Sequence, residues 1–141
     1  KPEILQIEAH PYLSQEKLIR LAKNYGMEVT AFSPLGSLSY EEMGGAKKHE
    51  YLLSNETIRA ISQNVQASPA QVILGWALSR GTSVVVKSSS DQRMLENIGS
   101  ARLKLDQQAL DAISQLNINK RYNDPGVFCE DAFNTFYPIY E

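Results

Sequence analysis

Three short apolar runs, each closed by a turn and followed by a helical pattern, constrain this chain more than any other feature. They are Ile4-Leu5-Gln6-Ile7-Glu8, Val29-Thr30-Ala31-Phe32 and Ser83-Val84-Val85-Val86. Runs of this length, apolar or β-branched and bounded by polar or proline-bearing sequence, read as buried strands. Helical patterns fill the intervals. Ser14 is the expected cap of a helix whose face is Leu18, Leu21, Ala22 and Tyr25, and Gly26 stands where a terminating glycine belongs. Asn55 opens a second helix with Ile58, Ile61 and Val65 on its core side. Ser68-Pro69-Ala70-Gln71 opens a third, with a serine cap, proline at the first helical position and glutamine placed for a capping box. Gly81 closes it. Ser90 and Asp106 open two more, the last with Leu105 and Leu110 as a hydrophobic staple. The order β-α-β-α-α-β-α-α predicts an α/β fold with parallel strands, buried on both faces.

Charge and cysteine content narrow the functional classes. In 141 residues, 14 Lys+Arg face 16 Asp+Glu, a net charge of −2. That balance disfavours broad electrostatic binding to nucleic acid or to an anionic membrane. Cys129, the single cysteine, cannot form an internal disulfide, so a secreted disulfide scaffold is excluded. Residues 60–79 carry no charge, but Ser62, Gln63, Asn64, Gln66, Ser68 and Gln71 interrupt them and Pro69 divides them. They read as two helices meeting end to end rather than a membrane span. The expected setting is cytoplasmic. No His/Cys cluster has metal-ligand spacing, and neither a GxSxG nor a GxGxxG motif is present.

In parallel α/β folds, ligands bind at the carboxyl ends of the strands. After the third strand comes Lys87-Ser88-Ser89-Ser90, then a helix with Arg93 in its first turn. Hydroxyls, a lysine, a guanidinium and a helix N-terminus together suit an anion such as phosphate. One turn on, Glu96 and Asn97 offer an acceptor and an amide to a base. After the second strand, Phe32 can stack on a flat ring, Ser33 and Ser37 can donate to phosphate oxygens, and Gly36 admits close backbone approach. Gln6 either points into a site or satisfies buried backbone. His10 is expected to be structural. Residues 37–54 form a long polar connection, expected either to cover a bound ligand, with Gly44-Gly45 as a hinge, or to be disordered. Six of the 12 aromatics fall in residues 122–141, aperiodic and expected to dock on something.

These residues resemble the aldo-keto reductase family. The matching pieces are Gln6-Ile7-Glu8-Ala9-His10-Pro11-Tyr12, Thr30-Ala31-Phe32-Ser33-Pro34-Leu35-Gly36-Ser37, and Val86-Lys87-Ser88 continuing to Arg93 and Glu96-Asn97. Their order is similar to that of the last three strand–helix units of the family's (β/α)8 TIM barrel. The resemblance implies that Gln6 binds the nicotinamide carboxamide and that Phe32, where the family usually has tyrosine, stacks on the nicotinamide ring. It implies that Ser33, Leu35 and Ser37 hold the pyrophosphate. Lys87, Ser88, Ser90 and Arg93 would meet the 2′-phosphate, and Glu96 and Asn97 the adenine. NADPH is then the expected cofactor, preferred over NADH. The residues from Asn117 onward would be the C-terminal loop that lines the pocket for a small carbonyl substrate. Asn119-Lys120-Arg121-Tyr122-Asn123-Asp124-Pro125 resembles microbial polyol and sugar-aldehyde reductases.

Two departures matter. The family's aspartate latch over the cofactor falls at Ser39, with Glu41 and Glu42 nearby. The family's catalytic Asp, Tyr, Lys and His belong to the first five strand–helix units and map onto no residue here. The expectation is therefore part of one barrel domain, three units of eight, inactive alone, from a monomeric NADPH-dependent aldehyde or ketone reductase. A non-catalytic cofactor-binding subunit of the same fold, and a generic phosphate-binding α/β module, are the alternatives.

Overall fold

Helix caps and strand pairing follow the sequence closely in the computed structural model, which describes residues 1–37, 40, 46 and 51–135. The strands are β1 (Ile4–Glu8), β2 (Glu28–Phe32) and β3 (Ser83–Val85), in the order β1-β2-β3, all parallel. The register sets Gln6 beside Thr30 and Thr30 beside Ser83. The helices are α1 (Glu16–Asn24), α2 (Glu56–Asn64), α3 (Pro69–Ser79), α4 (Asp91–Gly99), α5 (Gln107–Ser114) and α6 (Pro125–Phe133). Leu52–Ser54 and Ser100–Arg102 are single 3-10 turns. Residues 60–79 are indeed split between α2 and α3. No helix among the described residues is long and apolar enough to cross a membrane.

Most caps act as expected. The Asn55 side chain accepts from the Thr57 and Ile58 amides, and Asp106 accepts from Ala109. Ser68 and Gln71 complete the reciprocal capping box at 3.2 and 3.1 Å, with Pro69 opening α3. Ser14 is a correction. The residue before α1 is Gln15, in left-handed backbone with no side-chain cap, and the Ser14 amide instead donates to Asn117. The left-handed Gln15 stands between Ser14 and the helix, so the Ser14 hydroxyl falls one residue short of the capping position.

A second correction concerns the end of the chain. Residues 125–133, expected to be aperiodic, form α6. Its start is written locally: Asp124 accepts from the Gly126 amide and Pro125 sits in the first turn.

Helices cover one face of the sheet. Leu5, Ile7 and Val29 pack with Ile19 and Ala22 of α1 and with Met27. The larger core joins Leu52, Ile58, Ile61, Val72, Ile73, Trp76, Ala77 and Ile113, with Val84 against it. The α3 pattern explains why this helix is central: Val72 through Ala77 are all buried. The opposite sheet face carries Ile4, Gln6, Glu8, Glu28, Thr30, Phe32, Ser83 and Val85 by the alternation of the pleat. Ile4 is 61% exposed and Val85 51%. The expectation of strands buried on both faces therefore fails over most of this face, which the described residues cover at Glu8 and leave open at Ile4, Gln6 and Val85.

Candidate functional site

The strand ends place Phe32, Val85-Val86-Lys87 and the start of α4 around one groove of about 680 Å³. Phe32, Ser33 and Leu35 form the wall after β2, and Lys87, Ser88, Arg93, Glu96 and Asn97 the wall after β3. The sequence pattern thus converges on one site, built by two adjacent strand–helix connections. Among the described residues neither Lys87 nor Arg93 is engaged in an ion pair, and both line the groove together with the Glu96 carboxylate. Ser90 stands back from it: its hydroxyl caps α4 by accepting from the Arg93 amide, and its own amide donates to Ser88 Oγ at 3.1 Å. Ser37 is fully buried and lies outside the lining. Gln6 also lies outside it, on the uncovered face of β1.

Sequence reasoning missed one wall. Leu53, Ser68, Pro69 and Ala70, from the turn before α2 and the N-terminus of α3, close the groove opposite α4. Their signal was the capping box, which fixes where α3 starts but not what that start faces. Gln71 joins the walls. Having capped α3, its Nε2 donates to the Glu96 carbonyl at 3.1 Å. A Cβ on Gly99 would meet that Nε2 at 2.8 Å, so α4 approaches α3 through a glycine. Spacing between the two walls is set by this contact.

Local backbone strain marks the β2 end. Ser33 has φ 49° and Gly36 φ 76°, both left-handed. For serine that region costs roughly 1 kcal/mol or more and persists where the surroundings hold it. The Ser33 hydroxyl lies 2.8 Å from the Tyr40 hydroxyl. Ser39, Glu41, Glu42, Gly44-Gly45 and His49 lie outside the described residues, so the latch and hinge of that segment fall outside them as well.

A second polar cluster sits at the carboxyl end of β1. Glu8, 1% exposed, accepts the Tyr122 amide at 2.8 Å and the Asn123 amide at 3.1 Å. His10 Nε2 lies 3.2 Å from Glu8 Oε1, and Arg121 is 3.6 Å from Oε2. A carboxylate only accepts, so the hydrogen is on Nε2. His10 Nδ1 has no partner among the described residues. Burial pushes the Glu8 carboxyl up, but the bonds from His10, Tyr122 and Asn123 outweigh it and hold the group below the ordinary carboxylate range. His10 is thus a buried structural histidine outside the groove. No three or more His, Cys, Asp or Glu side chains among the described residues are arranged to hold a metal.

A parallel sheet flanked by helices, with a groove lined by Lys87 and Arg93 at its carboxyl edge, defines an α/β protein. Comparison narrows the class: the sequence model of the aldo/keto reductase family matches residues 1–118, and the chain belongs to that family. It is 44% identical over 127 residues to the NAD(P)H-dependent D-xylose reductase of Scheffersomyces stipitis, covering 89% of this chain and 40% of that protein. It is 42% identical over 140 residues to the NADPH-dependent aldose reductase of Saccharomyces cerevisiae, covering 96% and 43%. Among solved structures, an aldo-keto reductase enzyme from a Medee basin deep-sea metagenome library superposes with a TM-score of 0.74 at 26% identity, over 85% of this chain and 41% of that one. The Gox0644 mutant in complex with NADPH superposes with a TM-score of 0.70 at 29% identity, over 82% and 38%. The chain therefore spans about two fifths of the length of these relatives.

Proposed function

We propose that this chain is the C-terminal, cofactor-holding part of an NADPH-dependent reductase of aldehydes and ketones, with aldoses as the preferred substrate class. The observation that carries the reading is the groove itself. Two cations in no ion pair among the described residues, Lys87 and Arg93, flank the N-terminus of α4, and the apolar Leu53, Pro69 and Ala70 line the same groove as Glu96 and Asn97. A nucleotide with one phosphate beyond the pyrophosphate fits that donor set: the cations meet the extra phosphate, the apolar lining takes the base, and Asn97 and Glu96 read its edge. Ser33 and Leu35 are assigned to the pyrophosphate side and Ser88 to the phosphate end, while Ser37, buried behind the wall, and Ser90, which caps α4, support them from outside the lining. Phe32 faces the groove and is assigned the stacking role toward the nicotinamide, with Gln6 on the open face beyond it. When bound, the reduced nicotinamide supplies a hydride to the carbonyl carbon.

The three units fit the end of a (β/α)8 barrel, whose interior would be the face that carries Gln6, Thr30 and Phe32. The general acid and its supporting residues belong to the units this chain does not contain. The names of the xylose and aldose reductases support the aldose assignment. The second reading, a cofactor-binding subunit without catalysis, keeps the same groove. It is separated by whether the protein carrying this chain turns over an aldose.

Titration with NADPH and with NADH, followed by fluorescence of the reduced nicotinamide, tests the reading. NADPH should bind about a hundredfold tighter, the scale of two charge-assisted contacts at about tenfold each. Equal affinities, or binding of neither, would refute it.

A further inference from the structure

The buried cluster at Glu8 reaches further than the strand it ends. Tyr122, whose amide Glu8 holds, lies with its ring centroid 5.2 Å from that of His10 and 5.9 Å from that of Tyr40, nearly parallel to the latter at 16°. Its ring edge also comes within 3.8 Å of where a Cβ on Gly36 would stand. Tyr40 in turn reaches Ser33 Oγ at 2.8 Å, and its amide donates to the Ser37 carbonyl at 2.9 Å. Tyr40 and Tyr122 are 6% and 5% exposed, so both rings are enclosed. The residues after α5 are fixed upstream as well, because the Ile118 and Lys120 amides both donate to the Tyr12 carbonyl.

The contacts form an unbroken path: the Glu8 carboxylate, the backbone at Tyr122 and Asn123, the Tyr122 ring, the Tyr40 ring, and the strained Ser33 at the groove wall. We infer that Glu8, Tyr122 and Tyr40 are positioning residues: the segment after α5, anchored on Glu8, props the 33–37 wall of the cofactor groove in its binding conformation. The inference rests on the reading of that groove as a cofactor site. None of the three residues lines the groove. They act through Ser33, whose left-handed backbone needs outside support, and through Gly36, which the Tyr122 ring edge approaches. By linkage, a ligand that orders the 33–37 wall must tighten the docking of residues 121–123 by the same factor.

Hydrogen exchange, read residue by residue without any cofactor, tests the path. In Glu8→Gln the Tyr122 and Asn123 amides lose a charged acceptor, and the Gly36 and Tyr40 amides should exchange faster with them, while α3 amides stay at the rate of the unmodified protein. Tyr40→Phe keeps the ring stack and removes only the hydroxyl bridge; its Gly36 amide should exchange faster with Tyr122 unchanged. Exchange confined to residues 121–123 in Glu8→Gln, or a Gly36 rate unchanged in Tyr40→Phe, overturns the inference. A Glu8→Gln chain that loses α3 protection as well leaves Tyr40→Phe to decide.

Cofactor titration supplies the second readout. Tyr40→Phe should weaken NADPH and NADH together, by about threefold to tenfold as for one neutral hydrogen bond. Their ratio should hold, because the 33–37 wall meets a part common to both. Unchanged affinities for both overturn the positioning role. Should the unmodified protein bind neither cofactor, the proposed function falls, and the exchange measurement still decides the path.

Discussion

Glu8 shows how one residue can be written as a strand end and act as an anchor. The sequence displays it as the last residue of an apolar run, with nothing to signal four partners drawn from residues 10 and 121–123. Its carboxyl is held below the ordinary carboxylate range. A group with a depressed folded-state value contributes stability that is present above its unfolded value and lost as pH falls through the folded one. The anchor should therefore hold at neutral pH and release in acid, with His10, Lys120 and Arg121 the charged or titratable neighbours. Amide resonances of Tyr122 and Asn123, followed from pH 7 downward, should move together below about pH 4, the ordinary carboxylate value. In Glu8→Gln that step should vanish. A step that persists in the variant contradicts the assignment.

Among the groove residues, Phe32, Ser33, Leu35, Lys87, Ser88, Arg93, Glu96 and Asn97 were legible because each follows a strand end or occupies the first turns of α4. Strand ends and helix starts are local features. Ser68, Pro69 and Ala70 were not legible as lining, because their place depends on how α3 packs against α4. Tyr122 and Glu8 were not legible as partners because 114 residues separate them in the chain.

At the scale of elements, caps decided what could be read. Ser68 with Gln71 is complete in sequence and complete in the structure. Ser68→Ala should cost about 1 kcal/mol of stability, the usual loss for a capping side chain, read as a lower denaturant midpoint at unchanged slope. The same substitution removes one lining hydroxyl, so cofactor affinity should fall only modestly beside it. Gly36→Ala is expected to be far worse. Its φ is 76° and the new methyl would stand 2.7 Å from Leu52. A Gly36→Ala protein with unaltered melting temperature and NADPH affinity would show that the 33–37 wall tolerates both strain and crowding.

Where caps misled, the place of the helix start was the reason. Ser14 has the composition of a cap, yet its amide is held by Asn117, and α1 begins after an uncapped Gln15. Helix α6 went unread because its aromatic residues hide the Asp124-Pro125 start signal in a segment without an apolar stripe. Periodicity outweighed capping in the reading, and the fold weighs them the other way.

At the scale of the whole molecule, the sheet has one covered face and one open face. Ile4 and Val85 are exposed on it, and Leu95 and Ile98 on α4 are 73% and 72% exposed. Among the described residues both outer strands also keep an unpaired edge, which invites association. Isolated, the 141-residue chain should bind a hydrophobic dye and self-associate with rising concentration. Changing Leu95 and Ile98 to Glu should weaken self-association without unfolding the core around Trp76. A strictly monomeric, dye-silent chain would contradict the open-face account. Family membership was legible because three strand-end motifs keep their order and local surroundings. The extent of the barrel was legible only as an expectation, since three strands show what they pair with and not what closes them.

The central claim is that Lys87 and Arg93 make the groove a site for the phosphorylated dinucleotide. The direct measurement is the ratio of NADH to NADPH dissociation constants in the unmodified protein and in a Lys87→Ala, Arg93→Ala double variant. Removing both cations should raise the NADPH constant by about a hundredfold, two charge-assisted contacts at about tenfold each, while the NADH constant changes little. The ratio should then collapse toward one. A double variant that weakens both cofactors equally, or keeps its preference for NADPH, would contradict the assignment.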